Sequence, residues 1–142
     1  MEYFASEALI SARPSTVWEV ITDAGNLTVW ESGISAIDGE LRHGGTIRIK
    51  TADAGGRSLR LRVRQLPGEV MTWTSSLPLG LLRRVRTFTL SPQDGLTHFT
   101  VKEQVSGPLA GFPGNTSPDT GHTLNDYVTA VMNRAELLDR VS

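Results

Sequence analysis

Arg86 and Glu103 are charged residues at positions where strand alternation calls for apolar ones. In Arg86-Thr87-Phe88-Thr89-Leu90 the alternation sets Arg86 on the face of Phe88 and Leu90, and further on it sets Glu103 with Phe99, Val101 and Val105. A charge on an inward face requires a partner, because an apolar interior does not replace the hydration it loses. Asp94-Gly95, a tight-turn dipeptide, lies between the two segments, and counting outward from it brings Arg86 and Glu103 opposite or nearly opposite each other. Two kinds of chemistry fit. The pair can be a structural salt bridge, or it can orient a ligand carbonyl or hydroxyl, with Glu103 transferring protons beside an apolar cavity. Glu103 and Arg86 are the candidate catalytic residues.

A second group offers surface rather than charge. Trp73, Phe88, Phe99, Met71 and Leu61, on segments patterned as strands, are candidate ligand-binding residues. Tyr127, Val128, Val131 and Met132, on a helical stripe, complete the set. Indole, phenyl and thioether surfaces suit a flat or greasy molecule, and the same side chains equally make ordinary core. Trp18 and Trp30 read as core or as the rim of a pocket.

Other chemistries lack their residues. The chain has no cysteine, so thiol nucleophiles, thiolate metal sites and disulfides are excluded. His43, His98 and His122 share neither metal-ligand spacing nor the inward face, and are expected at the surface without a metal. Nucleophile-elbow, phosphate-loop and dinucleotide-binding glycine patterns are missing, and no cofactor is expected. Fourteen basic and 15 acidic residues give a formal charge of -1, which provides no overall field for nucleic acid or an anionic membrane. No apolar run is long enough for membrane insertion and no leader pattern opens the chain, so a cytoplasmic protein is expected, as a monomer or homodimer. Arg60, Arg62 and Arg64 alternate with aliphatics and, with Arg48 and Lys50, form a basic stripe on the outer face: a solvated surface or a place for another protein to dock.

These residues need elements to position them. At 142 residues and 39% hydrophobic, the chain fits one domain over residues 1–142. Phe4 to Ala12 reads as a strand ended by Arg13-Pro14-Ser15. Val17, Trp18 and Ile21 then recur at helical spacing, with Ser15 able to cap and Gly25 following the end. A second helical turn is expected over Leu27 to Glu31. The middle reads as a meander, with strands at Ile34 to Gly39, Thr46 to Lys50, Leu59 to Arg64, Val70 to Ser75, Arg84 to Ser91 and Leu96 to Val105. Gly44-Gly45, Gly55-Gly56, Pro67-Gly68 and Asp94-Gly95 supply its reversals. Ser117-Pro118-Asp119 starts a helix to about Arg140, whose stripe contains Leu124, Tyr127, Val128, Val131 and Ala135.

This order predicts an α+β fold: about seven antiparallel strands in a curved sheet gripping a long C-terminal helix, with short helices after the first strand and an internal cavity. Inward positions such as Ser6, Ala8, Ala12, Ser75 and Thr97 are small or polar, so large side chains alone fill the gap between helix and sheet less readily, and either side chains or a ligand can occupy it. The run from Ile10 to Asp23 followed by Trp30, then Pro67 to Trp73, Arg86 to Leu90 and Glu103 to Leu109, resembles in order the recurrent segments of the polyketide cyclase/dehydrase-like branch of the START-related helix-grip superfamily. The resemblance covers nearly the whole chain. It implies the helix-grip fold and a range of activities: aromatic cyclases, lipid and hormone carriers, and co-chaperone regulators. The expected function is binding or sequestration of a small apolar or amphipathic molecule. The alternatives are a cyclase or dehydratase acting on a bound substrate, and a protein-docking module.

Overall fold

The computed structural model describes residues 2–30, 32–51, 58–110 and 120–141. Its strands are β1 (Glu2–Ile10), β2 (Ile34–Asp38), β3 (Thr46–Thr51), β4 (Ser58–Leu66), β5 (Val70–Ser76), β6 (Arg83–Gln93) and β7 (Leu96–Ser106). Its helices are α1 (Pro14–Thr22) and α2 (Thr120–Arg140). The seven strands form one antiparallel sheet in the order β1-β7-β6-β5-β4-β3-β2. The meander runs β2 to β7, and β1 returns to pair with β7, as expected of the helix-grip architecture.

Sequence alternation decides which face is buried. In β4, Leu61 and Val63 are buried while Arg60, Arg62 and Arg64 are exposed. The β6–β7 hairpin closes at Asp94 (φ 51°) and Gly95 (φ 80°), two left-handed residues of the kind that match the twist of the flanking strands. Gly44-Gly45 departs from expectation. It ends a longer connection between Asp38 and Thr46 rather than making a two-residue reversal, and its backbone bonds to Val63 so that the β3–β4 ladder is extended. Gly55-Gly56 and the Ser117-Pro118-Asp119 helix start lie outside the described residues.

α2 covers the concave face with Leu124, Tyr127, Val128, Val131 and Ala135 buried. It packs chiefly along β1 and α1, more lightly along β7, and its backbone stands farther from β4, β5 and β6. Three local expectations are corrected. The first strand ends at Ile10 rather than Ala12, because Ser11 N–H donates to Glu136 Oε2 and the Ala12 carbonyl accepts from Thr97 Oγ1. Ser15 does not cap α1. The helix starts at Pro14, whose fixed φ suits that position, and the acceptor comes from α2: Asp139 takes hydrogen bonds from Arg13 N–H and Nε and from Thr16 Oγ1, each at 2.8 Å. The second helical turn comes earlier than Leu27, as a single 3-10 turn at Ala24–Asn26. It forms there because Asp23 ends α1 and its carbonyl accepts from Asn26 N–H.

Candidate ligand site

Strand register sorts the inward residues into rows across the sheet. One row reads Val63, Trp73, Arg86, Glu103 and Phe4 on β4, β5, β6, β7 and β1. The next reads Met71, Phe88, Val101 and Ser6, and the third Leu90, Phe99 and Ala8. Each row is one inward step, roughly 7 Å, from its neighbour. The expected Arg86–Glu103 juxtaposition is therefore a direct cross-strand pair.

Its geometry is asymmetric. Arg86 Nε and Nη2 both donate to Glu103 Oε1, at 3.2 and 3.0 Å, and the guanidinium does not engage Oε2. The Glu103 side chain is 6% exposed and that of Arg86 21%, so the acid is enclosed while the base still reaches some water.

Tyr127, buried on α2, meets the second and third rows through Phe88 and Phe99. Its ring lies 5.8 Å from Phe88, edge-on, 6.0 Å from Trp30 and 6.4 Å from Phe99. Trp73 packs on the other side of this group, 4.8 Å from Phe88. Phe88 thus links the aromatic side chains of the sheet to that of the helix, within the range where ring pairs attract beyond simple burial. Trp30 comes back to the same core and Trp18 packs at its edge, as expected.

The polar ends of two of these rings are unsatisfied. Tyr127 and Trp73 are 3% and 2% exposed. Neither Tyr127 Oη nor Trp73 Nε1 has a hydrogen-bond partner among the described residues. Burial holds the Tyr127 phenol above its ordinary pKa range, and the nearby Arg86 charge offsets this only in part. The phenol is a neutral donor throughout the physiological range. Buried donors left without acceptors cost free energy, so two around one aromatic cluster call for an explanation. Apolar patterning places both residues here for their surface and is silent on their donors. The available signal was a tyrosine, rather than a phenylalanine, on the buried stripe of α2.

The remaining candidates divide by depth. Met71, Leu61, Val128 and Val131 are buried, and Met132 is half-buried against the same core. His43 and His98 lie off the site: His43 Nδ1 accepts from Gln65 N–H at an exposed position, and His98 contacts Glu7 on the outer face. The His122 side chain lies outside the described residues.

The fold and these rows define a helix-grip protein. The sequence matches the family described as "Polyketide cyclase / dehydrase and lipid transport" over residues 1–136, and the chain belongs to that family. None of the curated proteins matches it. Among solved structures, a protein from Mesorhizobium loti is similar at 23% identity and TM-score 0.68, covering 99% of each chain. A START superfamily protein from Mycobacterium smegmatis is similar at 16% identity and TM-score 0.74, covering 96% of this chain and 98% of that one. The di-domain ARO/CYC StfQ from the steffimycin biosynthetic pathway is similar at 11% identity and TM-score 0.71, covering 98% of this chain and 51% of that one. These likenesses concern the fold.

Proposed function

We propose that the protein binds a small apolar or amphipathic molecule between α2 and the sheet, and that the molecule carries an oxygen acceptor. The observation that carries this reading is the pair of buried, unpartnered donors, Tyr127 Oη and Trp73 Nε1, flanking Phe88. An apolar body would take its affinity from burial against Phe88, Phe99, Met71 and Val131. A carbonyl or similar oxygen would satisfy a donor that the folded chain leaves open. The family's description, which includes lipid transport, agrees with this reading.

The test is a matched pair of probes, 2-acetonaphthone and 2-ethylnaphthalene, which share an aromatic body and differ in the carbonyl. The ketone should bind about tenfold more tightly, since one well-formed hydrogen bond to a buried donor is worth roughly 1–1.5 kcal/mol. Equal binding would remove the acceptor from the proposal, and no binding of either would remove the ligand.

A second reading has its own observation. Arg86 engages only Oε1 of Glu103, so Oε2 remains available to accept or return a proton. An enzyme of this kind would fold a reactive chain in the interior and use Glu103 in aldol cyclisation or loss of water. It predicts that Glu103→Gln abolishes turnover of a cyclisable substrate while leaving its binding intact.

A further inference from the structure

The formal charge of -1 conceals a segregation made by the fold. Arg48 and Lys50 on β3, Arg60, Arg62 and Arg64 on β4, Arg83 on β6 and Lys102 on β7 all project from the convex face and are exposed. These seven are half of the chain's 14 basic residues. The acids within the described strands of that face are Asp38 and Glu7, and Glu7 is engaged by His98. Arg48 stands between Asp38 of β2 and Arg60 of β4 in the ladders, and its juxtaposition with Arg60 is a like-charge arrangement that works against the sheet. None of the seven has an ion-pair partner among the described residues.

An apolar tip adjoins Arg83 at the end of the β5–β6 ladder. Ser76 and Arg83 close the β5–β6 ladder, and between them the chain reads Leu77-Pro78-Leu79-Gly80-Leu81-Leu82. Leu77, Leu79 and Leu81 are 44%, 95% and 40% exposed. Leu79 is held at φ 62°, a left-handed conformation that a leucine adopts at a cost. The loop is nonetheless built rather than loose. Leu77 N–H donates to the Leu82 carbonyl, and Leu109 N–H to the Leu81 carbonyl. Gly107, at φ 103°, lets the neighbouring turn pack so closely that a Cβ there would sit 2.6 Å from the Leu81 oxygen. From Val70 to Gln93 the sequence contains no acidic residue.

From these two features we infer that the convex face is a docking surface for a membrane rich in anionic lipid, with the Leu77–Leu81 tip entering the headgroup boundary. The basic strands meet the lipid phosphates and the leucines bury in the acyl margin, a division of labour that lets a protein lie on a bilayer without crossing it. An acidic protein would answer the arginines, and a nucleic acid likewise, but neither needs a rigid trio of exposed leucines. The inference does not depend on what occupies the interior.

The experiment is co-sedimentation of the full chain with vesicles of phosphatidylglycerol and phosphatidylcholine, and with phosphatidylcholine alone, at 50 and 500 mM salt. The protein should sediment with the anionic vesicles, not the neutral ones, and release in high salt. Leu79→Asn, which suits the left-handed backbone and should leave the fold intact, is expected to weaken binding about tenfold, and the double variant Arg60→Glu/Arg62→Glu more than tenfold. Failure to bind anionic vesicles while the protein is folded, as judged by circular dichroism, would overturn the inference. So would undiminished binding by both variants, or binding to polyglutamate or duplex DNA in place of vesicles.

Discussion

Arg86 and Glu103 stand directly opposite each other across the β6–β7 ladder, and two guanidinium nitrogens converge on a single carboxylate oxygen. The pair lies in one row with Trp73, next to the row of Phe88, which Tyr127 contacts, so charge, donors and apolar surface lie in adjoining rows of one sheet face. Enclosure of the acid and partial exposure of the base set its energetics.

Glu103→Gln should destabilise the protein by about 2–3 kcal/mol, less than the ~3–5 kcal/mol of a fully buried pair, because Arg86 can turn toward water. Urea denaturation measures this. Replacing both partners, Arg86→Met with Glu103→Leu, should recover most of the loss, since no uncompensated charge remains. A double variant less stable than Glu103→Gln alone would show that the pair contributes net stability beyond mutual compensation.

Tyr127→Phe removes a hydroxyl that has no partner among the described residues. The unliganded variant should be as stable as the parent, or more so by about 1 kcal/mol, while its preference for ketone over hydrocarbon probe narrows. A drop of more than about 1 kcal/mol in the unliganded state would mean that the hydroxyl is satisfied in solution.

Asp139 ties the start of α1 to the last turns of α2, and its hydrogen bonds from Arg13 and Thr16 hold its carboxyl below the ordinary aspartate range. A depressed folded-state pKa contributes stability above the unfolded value, near ~3.9, and loses it as pH falls through the folded value. Thermal unfolding between about pH 5 and pH 2 should therefore show a shallower acid decline for Asp139→Asn than for the parent. Parallel declines would show that this carboxylate is not a source of the acid limb.

Two glycines should rank differently. Gly107→Ala combines a left-handed backbone with the 2.6 Å approach to the Leu81 carbonyl, whereas Gly95, at φ 80°, has open space where a methyl group would sit, with nothing within 4 Å. Gly95→Ala should cost about 1 kcal/mol and Gly107→Ala more than about 2 kcal/mol, measured by denaturant midpoint. The reverse order would mean that the Leu81 loop yields.

The fold was legible where one local pattern decided the outcome. Alternating Arg60, Arg62 and Arg64 forced one face of β4 outward, and Asp94-Gly95 set the register that pairs Arg86 with Glu103. The α1 start was not legible from its own segment, since its acceptor, Asp139, lies 126 residues from Arg13. The donors of Tyr127 and Trp73 were hidden because apolar periodicity treats both as hydrophobic and says nothing of where a hydroxyl or indole N–H ends. The sorting of charge onto the convex face was half visible: β3 and β4 showed their arginines and lysine, but Arg83 and Lys102 join them only through strand order.

The most direct test of an acceptor-bearing ligand is the indole N–H signal of Trp73 in a nitrogen–proton correlation spectrum, assigned by Trp73→Phe among the signals of the three tryptophans. Adding 2-acetonaphthone should move that signal downfield as Nε1–H acquires an acceptor, and 2-ethylnaphthalene should not. A ketone that binds while the Trp73 and Tyr127 donors are unaffected, or a signal that shifts identically with both probes, would contradict an acceptor-bearing ligand.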